Sequence, residues 1–240
     1  MKKTLILVAM AAIFAGGSFG GSSTLSDTQV RRALNWIYSC FDGDQQSDLD
    51  ALFALDMNCD SNQFVRVAKE MAEANEYAAP VLAIISEYDE QHGIPYLYRY
   101  TTNENSRVAY YAFCHILARE GLTSNSAAAV EAFLSTTNAS RDAAQFRNEL
   151  CRDALHQAGR DGVTAALRSR VLQSVLSYAK RDGSHVVSVD RYIREFDPAY
   201  RYSTNRLEIL RASLGQDIND YQRNYVTNAI HEIEAQLPPE

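Results

Sequence analysis

Ser106-Arg107-Val108-Ala109-Tyr110-Tyr111-Ala112-Phe113-Cys114-His115-Ile116-Leu117-Ala118-Arg119-Glu120 is apolar on most of its sides when wound as a helix. Val108, Ala109, Tyr110, Tyr111, Ala112, Phe113, Cys114, Ile116 and Leu117 leave too narrow a polar stripe for a surface element. The pattern predicts a helix over about 105–120 at the centre of a helical core, closed by Gly121.

Just upstream stands Tyr98-Arg99-Tyr100-Thr101-Thr102-Asn103, which recurs as Tyr200-Arg201-Tyr202-Ser203-Thr204-Asn205. Each copy follows a proline, Pro95 or Pro198, and each precedes a run with helical character. Both therefore read as starts of helices, the second leading into 206–214.

The same local grammar extends along the chain. Ser26 and Gln29 form a capping box, with Leu25 free to staple to Val30, for a helix over about 27–41. Periodic apolar residues from Phe64 to Ala78, and again from Val81 to Tyr88, predict two helices meeting at Pro80, the second stopping at Gly93. A short helix is expected over 48–57, another capped by Ser126, and one over 141–158. Arg-Asp-Gly turns at 160–162 and 181–183 bracket the next, and Val189, Ile193 and Phe196 mark a short one before Pro198. A long C-terminal helix runs from about Ile218 to Pro238. Glycines 43, 93, 121, 159, 162, 183 and 215 all fall at or beside these boundaries. Strand character is confined to alternation over Ile94–Tyr100 and a β-branched scrap at Val186–Val189.

The expectation is an all-α fold of about eleven short antiparallel helices. They could stack as a helical-repeat superhelix or close into a globule. Residues 24–240 read as a single domain, 121–126 offering the softest internal boundary.

The first residues read as an export signal over 1–20: Lys2 and Lys3, an apolar run from Leu5 to Ala15, then small residues. That run is shorter than the roughly 20 residues needed to span a bilayer. A soluble periplasmic or extracellular protein, not inserted in the membrane once the signal is cleaved, is expected. Beyond Lys2 and Lys3 the chain carries 21 basic and 30 acidic residues, a net charge of −9, which argues against nucleic acid as a partner. The excess is confined to residues 21–105, with 14 acids and 5 bases, whereas 106–240 balance at 16 and 16. Four cysteines in an exported chain predict two disulfides, with Cys40–Cys59 and Cys114–Cys151 the preferred pairing.

Chemistry is sparse. In an extended Tyr-Arg-Tyr segment the two rings share one face and the guanidinium takes the other. Tyr98, Arg99, Tyr100, Tyr200, Arg201 and Tyr202 are thus candidate ligand-binding residues, although a structural role as helix starts competes with that reading. Asp56–Asn62 has the oxygen spacing of a calcium loop, but Ser61 and Val67 stand where the turn glycine and the bidentate glutamate belong. No metal or cofactor is expected. Glu87, Asp89 and Glu90 are the candidate carboxylates were the protein a secreted glycan hydrolase. The preferred reading is a non-catalytic exported scaffold that binds a protein or a cell-envelope component.

Overall fold

A computed structural model describes residues 25–39, 61–74, 78–89, 91–136 and 140–236. The expected signal, the helix over 48–57, Gly43, Cys40, Cys59, most of the calcium-like segment and Glu90 lie outside the described residues. The described residues form eleven α-helices, two 3-10 turns and no strand. The chain divides into two compact units, residues 1–95 and 96–240.

In the first unit, α1 (Asp27–Ser39) and α3 (Ala78–Tyr88) both pack on α2 (Ser61–Glu73). The core is the apolar stripe read from the sequence: Val30, Leu34, Phe64, Val67, Met71, Val81 and Ile85 are all buried, and Leu82 joins them. The α1–α2 contact is clamped by a bidentate pair, Arg66 Nη1 and Nη2 donating to Asp27 Oδ2 and Oδ1 at 2.8 Å each. Gln63 Nε2 donates to Asp27 Oδ1 and to the Leu25 carbonyl. The capping box of Ser26 and Gln29 is formed as expected.

Gly93 does not end a helix; it begins the six-residue α4 (Gly93–Tyr98). A Cβ at this position would collide with the Ile85 carbonyl oxygen, so glycine permits the close approach of α4 to the end of α3. The alternation over Ile94–Tyr100 belongs to this helix and the turn after it, because a six-residue helix is too short for its period to show. Val186–Val189 likewise opens a helix.

The second unit contains α5 (Ser106–Glu120), α6 (Ser124–Leu134), α7 (Arg141–Ala158), α8 (Ala165–Arg181), α9 (Val186–Phe196), α10 (Thr204–Leu214) and α11 (Asp220–Glu234). Each helix packs on its neighbour in the chain and also on the next but one. The helices therefore form two rows, α5–α7–α9–α11 and α6–α8–α10. One apolar cluster runs from Phe113 and Leu117 through Val130, Leu150, Leu155, Val175 and Tyr178 to Ile193. A second, built from Val186, Leu207, Leu210, Val226, Ile230 and Ile233, serves the last pair.

α5 begins with Asn105 as its cap and buries seven residues, as the quoted stretch requires. The cap of α6 is Thr123, with Ser126 three residues on returning its hydroxyl to the Thr123 N–H. Ser126 is the reciprocal partner in the box, and two hydroxyl residues at that spacing can exchange roles in a sequence reading.

Cys114 and Cys151 are free thiols rather than the expected disulfide. Cys114 shares its α5 face with Tyr110, and burial pushes its thiol up to about 11 despite a hydrogen bond with that phenol. Cys151 is fully buried on α7, and desolvation raises it further. The α5–α7 contact is held by apolar packing around these thiols and by Tyr110 Oη donating to Asp153 Oδ2 at 2.8 Å.

Candidate functional site

Neither copy of the repeated hexapeptide is extended. The first follows the end of α4 as a turn; the second opens within a 3-10 helix, Pro198–Tyr202, whose first turn is capped by Asp197. Proline at the first position and an aspartate before it favour a tight helical start over a strand. In both copies the fourth residue bonds twice to the carbonyl of the first. Thr101 N–H and Oγ1 reach the Tyr98 oxygen at 3.3 and 2.8 Å, and Ser203 N–H and Oγ reach that of Tyr200 at 3.1 and 2.9 Å.

The copies diverge after this shared turn. Ser203 itself caps α10 by accepting from the Arg206 N–H, whereas α5 starts only after Asn103 accepts from the Asn105 N–H and Asn105 from that of Arg107. The two helices they introduce also stand in different rows.

The rings are used in opposite order. Tyr100 is buried, its hydroxyl 2.9 Å from that of Tyr96, while Tyr98 donates to Glu120 and is pushed up to about 12 by burial and that carboxylate. Tyr200 is buried and Tyr202 exposed. Arg99 lies over the Tyr96 ring. Arg201 covers Tyr202, and both contact Glu232. The surface that the motif offers is therefore two small Arg–Tyr clusters rather than a common set of four rings.

The sequence-nominated acids are also engaged. Asp89 accepts from Lys69 Nζ at 2.6 Å and from the His92 N–H at 3.0 Å. Burial opposes ionisation, but these bonds win and hold its carboxyl below the usual range. A general acid for glycoside cleavage needs the reverse shift. Glu87 is exposed on the last turn of α3.

A concave feature of the second unit lies elsewhere, where α7, α8 and α9 meet. It is a cleft of about 720 Å³. Three helices each contribute residues at helical spacing: Arg152, Leu155 and His156 from α7, Arg168, Ser169 and Leu172 from α8, Tyr192, Glu195 and Phe196 from α9. Gly159, Arg160 and Asp197 complete it. Leu155, Leu172, Tyr192 and Phe196 belong to the core or pack against it, so the floor is apolar and rigidly backed.

The polar groups above that floor are unequally engaged. Arg168 Nε and Nη2 donate to the carbonyls of Val163 and Arg160 at 3.2 and 3.0 Å, which ties its guanidinium to the α7–α8 loop. Gly162, at φ +84°, provides the turn of that loop. Arg152 is held by Asp153 at 2.8 Å. Asp197 is occupied by the Ala199 N–H, and Glu195 stands 3.9 Å from Arg191. Among the described residues no hydrogen bond or ion pair engages the side chains of Arg160 and His156.

No nomination from the sequence fell on this cleft. Its signals were the Arg160-Asp161-Gly162 turn and the Tyr192/Phe196 pair, each of which reads equally well as an ordinary loop or helix face. Among the described residues no group of three His, Cys, Asp or Glu side chains is placed to hold a metal, and no helix is long and apolar enough to cross a membrane. Comparison with protein-family profiles, curated proteins and solved structures finds no match for this chain.

Proposed function

We propose that this protein is an exported, non-catalytic helical scaffold that binds a protein partner through the α7–α8–α9 cleft. The observation carrying this reading is the combination of guanidinium groups with an aromatic and aliphatic floor in one concavity. Arginine and tyrosine are favoured anchors of protein interfaces, and a cleft of this size suits a few inserted side chains. Stacked helix pairs supply a rigid backing of the kind that lets such a surface bind with little reorganisation. Export rests on the first twenty residues of the sequence, and N-terminal analysis of the secreted protein should find cleavage close to residue 20.

Ser169 is exposed on the cleft wall, so Ser169→Trp fills the space without entering the core. Secreted and envelope fractions would be passed over the wild type and this variant, and any component retained by the wild type alone would be purified. Binding of that component to the wild type by calorimetry, weakened at least tenfold by Ser169→Trp, supports the reading. Equal binding by both proteins, or turnover of peptidoglycan or chitin oligomers by the wild type, contradicts it.

A further inference from the structure

Several arginines of the second unit are paired with carboxylates. Arg147 meets Asp182, Arg170 meets Glu131, Arg194 and Arg206 share Asp190, Arg201 meets Glu232 and Arg211 meets Glu234. Of the three arginines that line the cleft, Arg152 is paired with Asp153 and the other two are not paired in this way. Arg168 is fixed only by backbone carbonyls, and Arg160 contacts no carboxylate among the described residues. The two acids of the same wall are already engaged, Asp197 by a backbone N–H and Glu195 by Arg191. Arg160 and Arg168 thus face the cleft without a carboxylate paired to them among the described residues, although Glu195 and Asp197 also line it.

We propose that the missing partner is a carboxylate of a bound peptide, seated against Arg160 and Arg168 while an adjacent aromatic or aliphatic side chain enters between Leu155, Leu172, Tyr192 and Phe196. The inference rests on the cleft being the binding surface. Guanidinium forks match carboxylates in a planar, two-point geometry, and Arg168 presents its remaining N–H groups already oriented by the loop. The apolar floor directly beside them selects a ligand with both characters in neighbouring positions. A polyanion such as nucleic acid fits poorly, because the chain as a whole carries a net charge of −7. The carboxylate can come from an Asp or Glu side chain or from a peptide C-terminus.

The test uses labelled, acetylated hexapeptide pools in fluorescence anisotropy with the mature protein. One pool carries an aromatic residue and a glutamate with an amidated C-terminus. A second replaces glutamate by glutamine but keeps a free C-terminal carboxylate; a third is neutral at both, and a fourth carries lysine. At least one carboxylate pool should bind at least tenfold more tightly than the neutral pool, and which one does so identifies the source. Arg160→Gln, on an exposed side chain, should remove that preference with unchanged melting behaviour, and Ser169→Trp should abolish binding of every pool.

Should the neutral pool bind as well as the acidic ones while Ser169→Trp still abolishes binding, the carboxylate inference falls and the cleft remains a binding surface. Retention of the preference in Arg160→Gln overturns the inference likewise. Absence of binding by all four pools, or binding indifferent to Ser169→Trp, overturns both.

Discussion

Asp190 is the residue on which the last helices of the second unit converge. It is buried, as is Arg206, which donates to both of its oxygens at 2.8 and 3.0 Å and to the Arg201 carbonyl at 2.7 Å. Arg194 and the Tyr225 hydroxyl also donate to Asp190 Oδ2, joining α9, α10 and α11. Removing one member of such a network leaves a charge buried without compensation, a loss of about 3–5 kcal/mol. Asp190→Asn should lower stability by that order in denaturant unfolding. The double variant Asp190→Leu/Arg206→Met should recover part of the loss, because it removes both charges together. The free thiols belong to this scale too. Peptide mapping of protein alkylated before digestion should recover Cys114 and Cys151 as unlinked peptides. Their raised thiols should react slowly in the folded protein at pH 8 and quickly once it is unfolded. A Cys114–Cys151 peptide would contradict the assignment.

At the scale of elements, helix ends are governed by local hydrogen bonds, and this is why so much of the fold could be read from residues alone. The limits of α5 and α7 follow from Asn105, Ser140 and the glycines after them. Where the reading slipped, two local solutions were nearly equivalent: Thr123 or Ser126 as cap, Gly93 as an end or a beginning. Ser203 has two roles, capping α10 and closing the turn onto the Tyr200 carbonyl, so Ser203→Ala should cost about 1–2 kcal/mol in thermal or chemical unfolding. In the first unit the Asp27–Arg66 clamp predicts a pH dependence. Hydrogen bonds from Arg66 and Gln63 lower the Asp27 carboxyl from 3.8 to about 2. A depressed carboxylate contributes stability that is present above its unfolded value and is lost as pH falls through its folded value. The stability difference between wild type and Asp27→Asn should therefore be constant above about pH 5 and vanish towards pH 2. Fluorescence of Trp36, the single tryptophan, follows it from α1.

For the molecule as a whole, the all-helical class was legible, but the two rows of the second unit were not. Contacts between a helix and the next but one join residues far apart in sequence, and no local period encodes them. The cleft escaped for the same reason: α7, α8 and α9 each supply residues that look like part of an amphipathic face until the rows bring them together. The repeated hexapeptide attracted attention because it is contiguous, yet its closest shared feature is a backbone turn, with Tyr100 and Tyr200 both buried. The proposed recognition surface is the cleft and not the motif. The most direct measurement is the affinity for an acidic-aromatic hexapeptide of the wild type, of Arg160→Glu and of the motif variant Arg201→Ala/Tyr202→Ala. At least a tenfold loss, about 1.4 kcal/mol, is expected for Arg160→Glu and a change within about twofold for the motif variant. An unchanged affinity in Arg160→Glu, with loss confined to the motif variant, would contradict the proposal.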